Sequence, residues 1–222
     1  MKILLLMTVF LSIETAFGSD FGSDFGSDFD ETLVYASHGD AIAQSNLGVM
    51  YENGLGVAEN QAEAFKWYRK AAERGDVFAQ SNLAFMYANG LGVPENDAVA
   101  VIWYRKAADQ GGADGQHSLA VMYTRGEGVA KDDGEAIRWY RKASEQGDAG
   151  AQSNLGSMYA MGRGVPEDRL KAYVWWSLAK AQGDRSAMKN IAIFEPGMTS
   201  QEIVAGKALA ARCYKSSYRG CD

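Results

Sequence analysis

Residues 39–182 repeat themselves every 36 positions without an insertion or deletion. A fixed period of that length excludes a single pooled core. Each copy is too short to bury its own apolar face, so the copies must stack and share their cores with neighbours. The copies open at Gly39, Gly75, Gly111 and Gly147, giving units 39–74, 75–110, 111–146 and 147–182.

Within a unit the residues spell helix, loop, helix. The opening glycine stands where a preceding helix must stop, commonly in a left-handed conformation. Asp40, Asp76 and Asp148 follow as N-cap acceptors. Leu47, Met50 and Tyr51, at i, i+3 and i+4, make one apolar face of a first helix near 41–52. They recur at Leu83, Met86 and Tyr87, and in the two later units. A loop with Gly54 and Gly56 ends this helix, and Val57 is placed to fold the loop back. The second helix, near 61–74, puts Ala64, Trp67, Tyr68 and Ala71 on one face, with the tryptophans expected to supply most of the buried area. Asn60 with Glu63, and Asp132 with Glu135, have the spacing of capping boxes. The fold class is therefore all-α.

The departures from the rule are as informative as the rule. Unit 3 reads Gly111-Gly112-Ala113-Asp114-Gly115 and lacks the capping aspartate, so its first helix is expected to start late on Asp114 and form the softest joint. Unit 4 reads Trp175-Trp176-Ser177-Leu178, an apolar shift that predicts contact with something other than a full repeat. Residues 183–222 then form a degenerate unit and a capping helix, opened by the box Thr199/Glu202, with Val204, Ala208 and Ala211 on one side. At the other end, residues 32–38 read as the last turns of a partial unit, so the array spans 32–182.

Lys2 followed by an apolar run from Ile3 to Ile13 and by Ala16-Phe17-Gly18 has the outline of a secretory signal peptide over 1–18. The run is too short for a membrane span, which needs about 20 residues. No membrane anchor is expected, and the localisation read from these residues is periplasmic or secreted. Residues 19–31 carry a Phe-Gly-Ser-Asp tandem and are expected to be a flexible acidic leader, with a docking motif built on its phenylalanines as the alternative. In an oxidising compartment Cys213 and Cys221 are either two thiols or one disulfide.

A net charge of -6 without a basic stripe points away from nucleic acid and toward a protein partner with a basic surface. The glycine pairs lack the third glycine and the Lys-Ser/Thr of a phosphate loop. Asp114 and His117 lack further ligands to complete a metal shell. Ser45, Ser81 and Ser153 recur without a basic group in a matching position to activate them. No catalysis, metal or cofactor is expected.

Ala43-x-x-x-Leu47-Gly48-x-Met50-Tyr51, then Gly54-x-Gly56-Val57, then Glu63-Ala64-x-x-Trp67-Tyr68-Arg69-Lys70-Ala71-Ala72-Glu73 resembles the Sel-one-like repeat (SLR), a relative of the tetratricopeptide repeat. The resemblance implies a right-handed α/α superhelix that binds proteins and is commonly exported in bacteria. Exported relatives include envelope regulatory or assembly adaptors and immunity proteins that neutralise phospholipase toxins of type VI secretion. A cysteine-rich branch is linked to penicillin processing, but no cysteine lies inside a repeat here. The resemblance further implies that the first helices line the inner face. The partner-facing positions are then Ile42, Ser45, Val49, Glu52 and Asn53 in unit 1 and Phe78, Ser81, Phe85 and Asn89 in unit 2. In unit 3 they are Asp114, His117, Val121 and Arg125, and in unit 4 Ser153, Ser157 and Met161. Phe78 and Phe85 are the expected anchors. The most specific role implied is an immunity protein for a periplasm-acting toxin.

Overall fold

The structure, a computed structural model, describes residues 25–218 and Cys221. The signal segment and the leader up to residue 24 lie outside the described residues. Eleven α-helices and one 3-10 turn follow one another, with no strand among the described residues. They are α1 (Phe25–Ser37), α2 (Ala41–Asn53), α3 (Gln61–Glu73), α4 (Val77–Asn89), α5 (Asp97–Asp109) and α6 (Ala113–Arg125). After them come α7 (Asp133–Glu145), α8 (Ala149–Met161), α9 (Arg169–Ala181), α10 (Arg185–Phe194), a 3-10 turn Glu195–Gly197 and α11 (Ser200–Lys215). Each helix packs on the next from α1 to α10, the arrangement of a right-handed α/α solenoid. First helices also touch the next first helix, α2 with α4, α4 with α6 and α8 with α10, whereas second helices make no comparable approach. The first helices therefore line the inner side of the curve.

Small residues set the spacing. Ala64, Ala71, Ala100, Ala107, Ala136 and Ala143 are fully buried, allowing close helix approach. Gly39, Gly75, Gly111, Gly147 and Gly183 all adopt φ of 89–94°, the left-handed stop between units. The second glycine of each loop has a different task. A Cβ at Gly92 would lie 2.3 Å from the Gln61 carbonyl oxygen, and Gly128 and Gly164 meet Asp97 and Asp133 in the same way. These loops thus lock onto the start of the preceding unit's second helix.

A ladder of buried glutamines runs between the units. Gln44, Gln80, Gln116 and Gln152 donate from Nε2 to the carbonyls of Ala36, Ala72, Ala108 and Ser144 at 3.0–3.2 Å. Gln110, Gln146 and Gln182 in turn donate to Oε1 of Gln80, Gln116 and Gln152 at 2.7–2.9 Å. Unit 1 has Arg74 at the matching position, and Gln44 Oε1 is left without a partner. Gln80, Gln116 and Gln152 stay buried with both ends of the amide satisfied inside the stack.

Several expectations change. The flexible leader was to run to residue 31, but α1 begins at Phe25, and Phe29 packs edge-on against Tyr51 with ring centroids 5.6 Å apart. The helix of unit 3 does not start late: α6 begins at Ala113 with Gly112 in the N-cap position and no side-chain cap, and Asp114 lies within its first turn. A Cβ at Gly112 would stand 2.6 Å from Val77 Cγ1 and 3.1 Å from the Ala107 carbonyl oxygen, which disfavours an aspartate there. Asn60 and Asp132 cap α3 and α7, but Glu63 and Glu135 turn to Lys66 and Arg138 instead of closing the box. Among the described residues only Thr199 and Glu202 form a full capping box.

The tryptophans divide along the array. Trp67 and Trp103 are half-buried under Lys70 and Lys106, whose Nζ atoms sit 3.7 Å from the ring centroids, while Trp139 and Trp175 are buried. Trp175 belongs to α9, which packs on both α10 and α11. Gly206 gives α11 its close approach, since a Cβ there would lie 2.6 Å from Tyr173. The packed side of α11 is Gly206, Ala210 and Cys213; Val204, Ala208 and Ala211 face outward. Cys213 and Cys221 are both buried in the C-terminal core.

Candidate functional site: the inner face of the first helices

Helical geometry brings positions i, i+4 and i+7 of α2, α4, α6 and α8 to one face. In unit 2 that face is Phe78, Asn82 and Phe85, with both phenylalanines 41% exposed. Ile42 continues it into unit 1 at 68% exposure, and half-buried Val49 lies below. The second helix contributes from behind. Tyr68 passes over Gly48, where a Cβ would come within 2.5 Å of the ring. Its hydroxyl donates to Glu52 at 2.6 Å and its ring meets Phe78 at 6.5 Å. Burial, and after it the Glu52 charge, pushes the Tyr68 phenol well above its usual range. Tyr68 thus stays a neutral donor that braces Glu52 and Phe78. Tyr104 fills the same place in unit 2, its phenol pushed up to about 12 chiefly by burial.

Units 3 and 4 use the same positions for internal bonds. His117 Nδ1 lies 3.1 Å from Asp148 Oδ1, the N-cap of α8, and its Nε2 lies 3.1 Å from Asn154 Nδ2. Gly150 leaves room for the imidazole, because a Cβ there would be 2.5 Å from His117 Cε1. Burial works against the Asp148 carboxylate, yet the His117 contact and the Ala151 and Gly150 amides hold it below the usual carboxylate range. Asp114 differs: the residue as a whole is exposed, but partial burial of its carboxyl, and then the neighbouring Asp148 charge, raises it. Trp176 Nε1 donates to the Ser153 carbonyl at 3.0 Å, and its ring stacks edge-on with Phe194 at 5.2 Å.

The sequence-predicted positions therefore separate into three sets. Ile42, Phe78, Phe85 and Met161 are exposed apolar groups, with Asn53, Asn89, Asp114 and Arg125 as exposed polar ones. Val49, Glu52, Val121 and Ser157 are half-buried. Ser45, Ser81 and Ser153 are buried behind the surface: Ser45 Oγ donates to Asp76 at 3.2 Å and Ser81 Oγ to its own helix. His117 is half-buried and held by Asp148 and Asn154. Asn82, beside one of those serines, was missed by the positional reading. Its Nδ2 is covered and has no hydrogen-bond partner. The recurrence of asparagine at Asn46, Asn82, Asn154 and Asn190 was the available signal. No group of three metal-binding side chains forms among the described residues.

The Sel1 repeat family model matches residues 41–76, 77–112, 113–148 and 149–184. The chain belongs to the Sel1 repeat family. Its units are phased by the model two residues after the glycine phase used above. No curated protein matches the chain. Among solved structures it is similar to c5321, a protective antigen of uropathogenic Escherichia coli strains displaying an SLR fold, at 36% identity and TM-score 0.74. That match covers 85% of this chain but 40% of c5321, so the chain spans well under half of that relative. A Sel1 repeat protein from Oxalobacter formigenes is similar at 35% identity and TM-score 0.73, covering 86% of this chain and 80% of the other. The immunity protein Pa5087 of Pseudomonas aeruginosa shares the fold at 22% identity and TM-score 0.52, over 91% of this chain and 76% of that one. The Sel1 repeat is a non-catalytic protein-interaction scaffold, and no described helix is long and apolar enough to cross a membrane.

Proposed function

We propose that this Sel1 repeat chain binds another protein on the inner face of its first helices, and that its role is that of an immunity protein sequestering a toxin that acts in the periplasm. The observation that carries the binding reading is the pair Phe78 and Phe85, exposed on helix α4, with Phe78 braced from behind by Tyr68. Aromatic groups on a preorganised surface lose little entropy on binding and dominate interface energies. The immunity role draws on the export outline of residues 1–18, the net charge of -6, and a likeness to Pa5087 at the level of fold. The test is to co-express the full chain with the product of each adjacent gene. A stable complex lost in Phe78→Ser, and protection of cells from that product, is the expected result. If no neighbour is toxic and none is bound, the immunity role is wrong.

Export also sets the state of the two cysteines. Both are buried in one C-terminal cluster, and we expect a Cys213–Cys221 disulfide in the exported protein. Intact mass with and without reductant tests this; protein that gains no hydrogens on reduction refutes the bridge.

A further inference from the structure

Charge differs between the two sides of the solenoid. The second helices α3, α5 and α7 carry Lys66, Arg69, Lys70, Arg105, Lys106, Arg138, Arg141 and Lys142, balanced there by Glu63, Glu73, Asp97, Asp109, Asp133, Glu135 and Glu145 and the cap Asp132. The first helices α2, α4, α6 and α8 with their caps carry the acids Asp40, Glu52, Asp76, Asp114 and Asp148 against one base, Arg125. Arg125 is engaged by Glu127 at 3.6 Å. Of the other bases near this side, Arg74 closes α3 beside Gly39, and Arg163 is held in a two-point ion pair by Asp133. The apolar surface of Ile42, Phe78 and Phe85 is therefore bordered by carboxylates. Asp114 stands at the same helical position as Ile42 and Phe78, one unit further along, and forms no ion pair with Lys or Arg.

We infer that the occupant of this face is a cationic amphipathic segment of the partner, with apolar side chains on Ile42, Phe78 and Phe85 and a Lys or Arg beside them against Asp114. The inference rests on the inner-face reading above and adds the chemistry of what the face accepts. A base seated there gains from two neighbouring carboxylates, Asp114 and Asp148, whose mutual repulsion it relieves. An acidic or purely apolar segment gains nothing at that position, so the carboxylates select against it.

The experiment is selection of a random dodecapeptide phage library on the full chain, followed by fluorescence-polarisation titration of the winning synthetic peptide. The expected consensus joins Phe, Leu or Trp to Lys or Arg. Asp114→Lys and Phe78→Ser each weaken the winner about tenfold or more, while Glu73→Lys on the outer helix α3 leaves it unchanged. Asp114→Asn, which keeps the side-chain shape, gives an intermediate loss, and added salt weakens the wild type more than Asp114→Asn. Circular dichroism confirms that each variant is folded. Binding that needs Phe78 but ignores Asp114 and salt overturns the cationic occupant and leaves the inner-face site standing. Binding that ignores both residues, or a consensus without a base, overturns the inference, and indifference to Phe78 removes the inner-face site as well.

Discussion

Units 1 and 2 and units 3 and 4 share one backbone plan and use it differently. In the N-terminal pair the core is split into two small clusters, Trp67 and Trp103 are half-buried, and the inner face ends in open rings at Phe78 and Phe85. A continuous cluster begins at Ala84 and α5 in unit 2 and runs through the C-terminal pair to Cys221; in that pair Trp139, Trp175 and Trp176 are buried, and the inner face is tied to itself through His117, Asp148, Asn154 and Trp176. The lesson is a division of labour within a repeat. The half covered by α10 and α11 holds the stack, and the other half keeps exposed apolar surface at Ile42, Phe78 and Phe85.

The largest test of this contrast is a matched pair of substitutions. Trp175→Ala removes a buried ring from the continuous core and is expected to cost about 3–5 kcal/mol. Trp67→Ala, at the same repeat position under Lys70, is expected to cost about half as much, because its ring already keeps part of its contact with water. Urea denaturation measures both, and equal costs would remove the proposed asymmetry. Next comes the joint between the halves. Gly112→Asp forces a Cβ against Val77 and is expected to lose about 1–3 kcal/mol. Val77→Ala with Gly112→Asp recreates the pairing of Ala41 with Asp76, and about 1 kcal/mol of cap stabilisation should return. A double-mutant cycle reads that coupling, and additivity would show that Val77 is not the reason for the glycine.

A third test uses acid. Asp148 and Asp133 have carboxyls below their usual range in the folded chain, Asp133 chiefly through its hydrogen bonds to Arg163. A depressed folded value means stability present above the unfolded pKa of about 3.9 and lost as pH falls through the folded one. Between about pH 5 and 2, Asp148→Asn should therefore lose less stability than the wild type. Asp114 has the opposite sign: its carboxyl is raised, so Asp114→Asn should be slightly more stable than wild type at neutral pH. The smallest loss among the ring deletions is expected for Phe78→Ser, about 1–2 kcal/mol in the free protein, because part of its ring is covered by Tyr68. Thermal melts check it; a large loss would make Phe78 a packing residue of the N-terminal half instead of an anchor.

Much of this was legible from residue order. The period predicted the units, the glycines predicted the stops, and the apolar shift at Trp175-Trp176 announced a different neighbour for α9. The start of α1 was hidden, because Gly, Ser and Asp have poor helix propensity and the helix is held from outside by Phe29 on Tyr51. The inner-face positions were read from helical phase alone, which places Ser45, Ser81, His117 and Ser153 on the binding side. Phase within one helix does not report how near the next helix comes, and at Ser45 and His117 the next unit's capping aspartate covers the side chain.

The sequence by itself determined that the chain is a stack of helical pairs, since a repeated apolar pattern has one economical way to be buried. Only the tertiary structure decided which of the varying positions remain available. That choice depends on contacts 30 or more residues apart, such as Ser45 to Asp76 and His117 to Asn154. Whether a polar group finds such a partner fixes whether it stabilises the stack or faces a ligand.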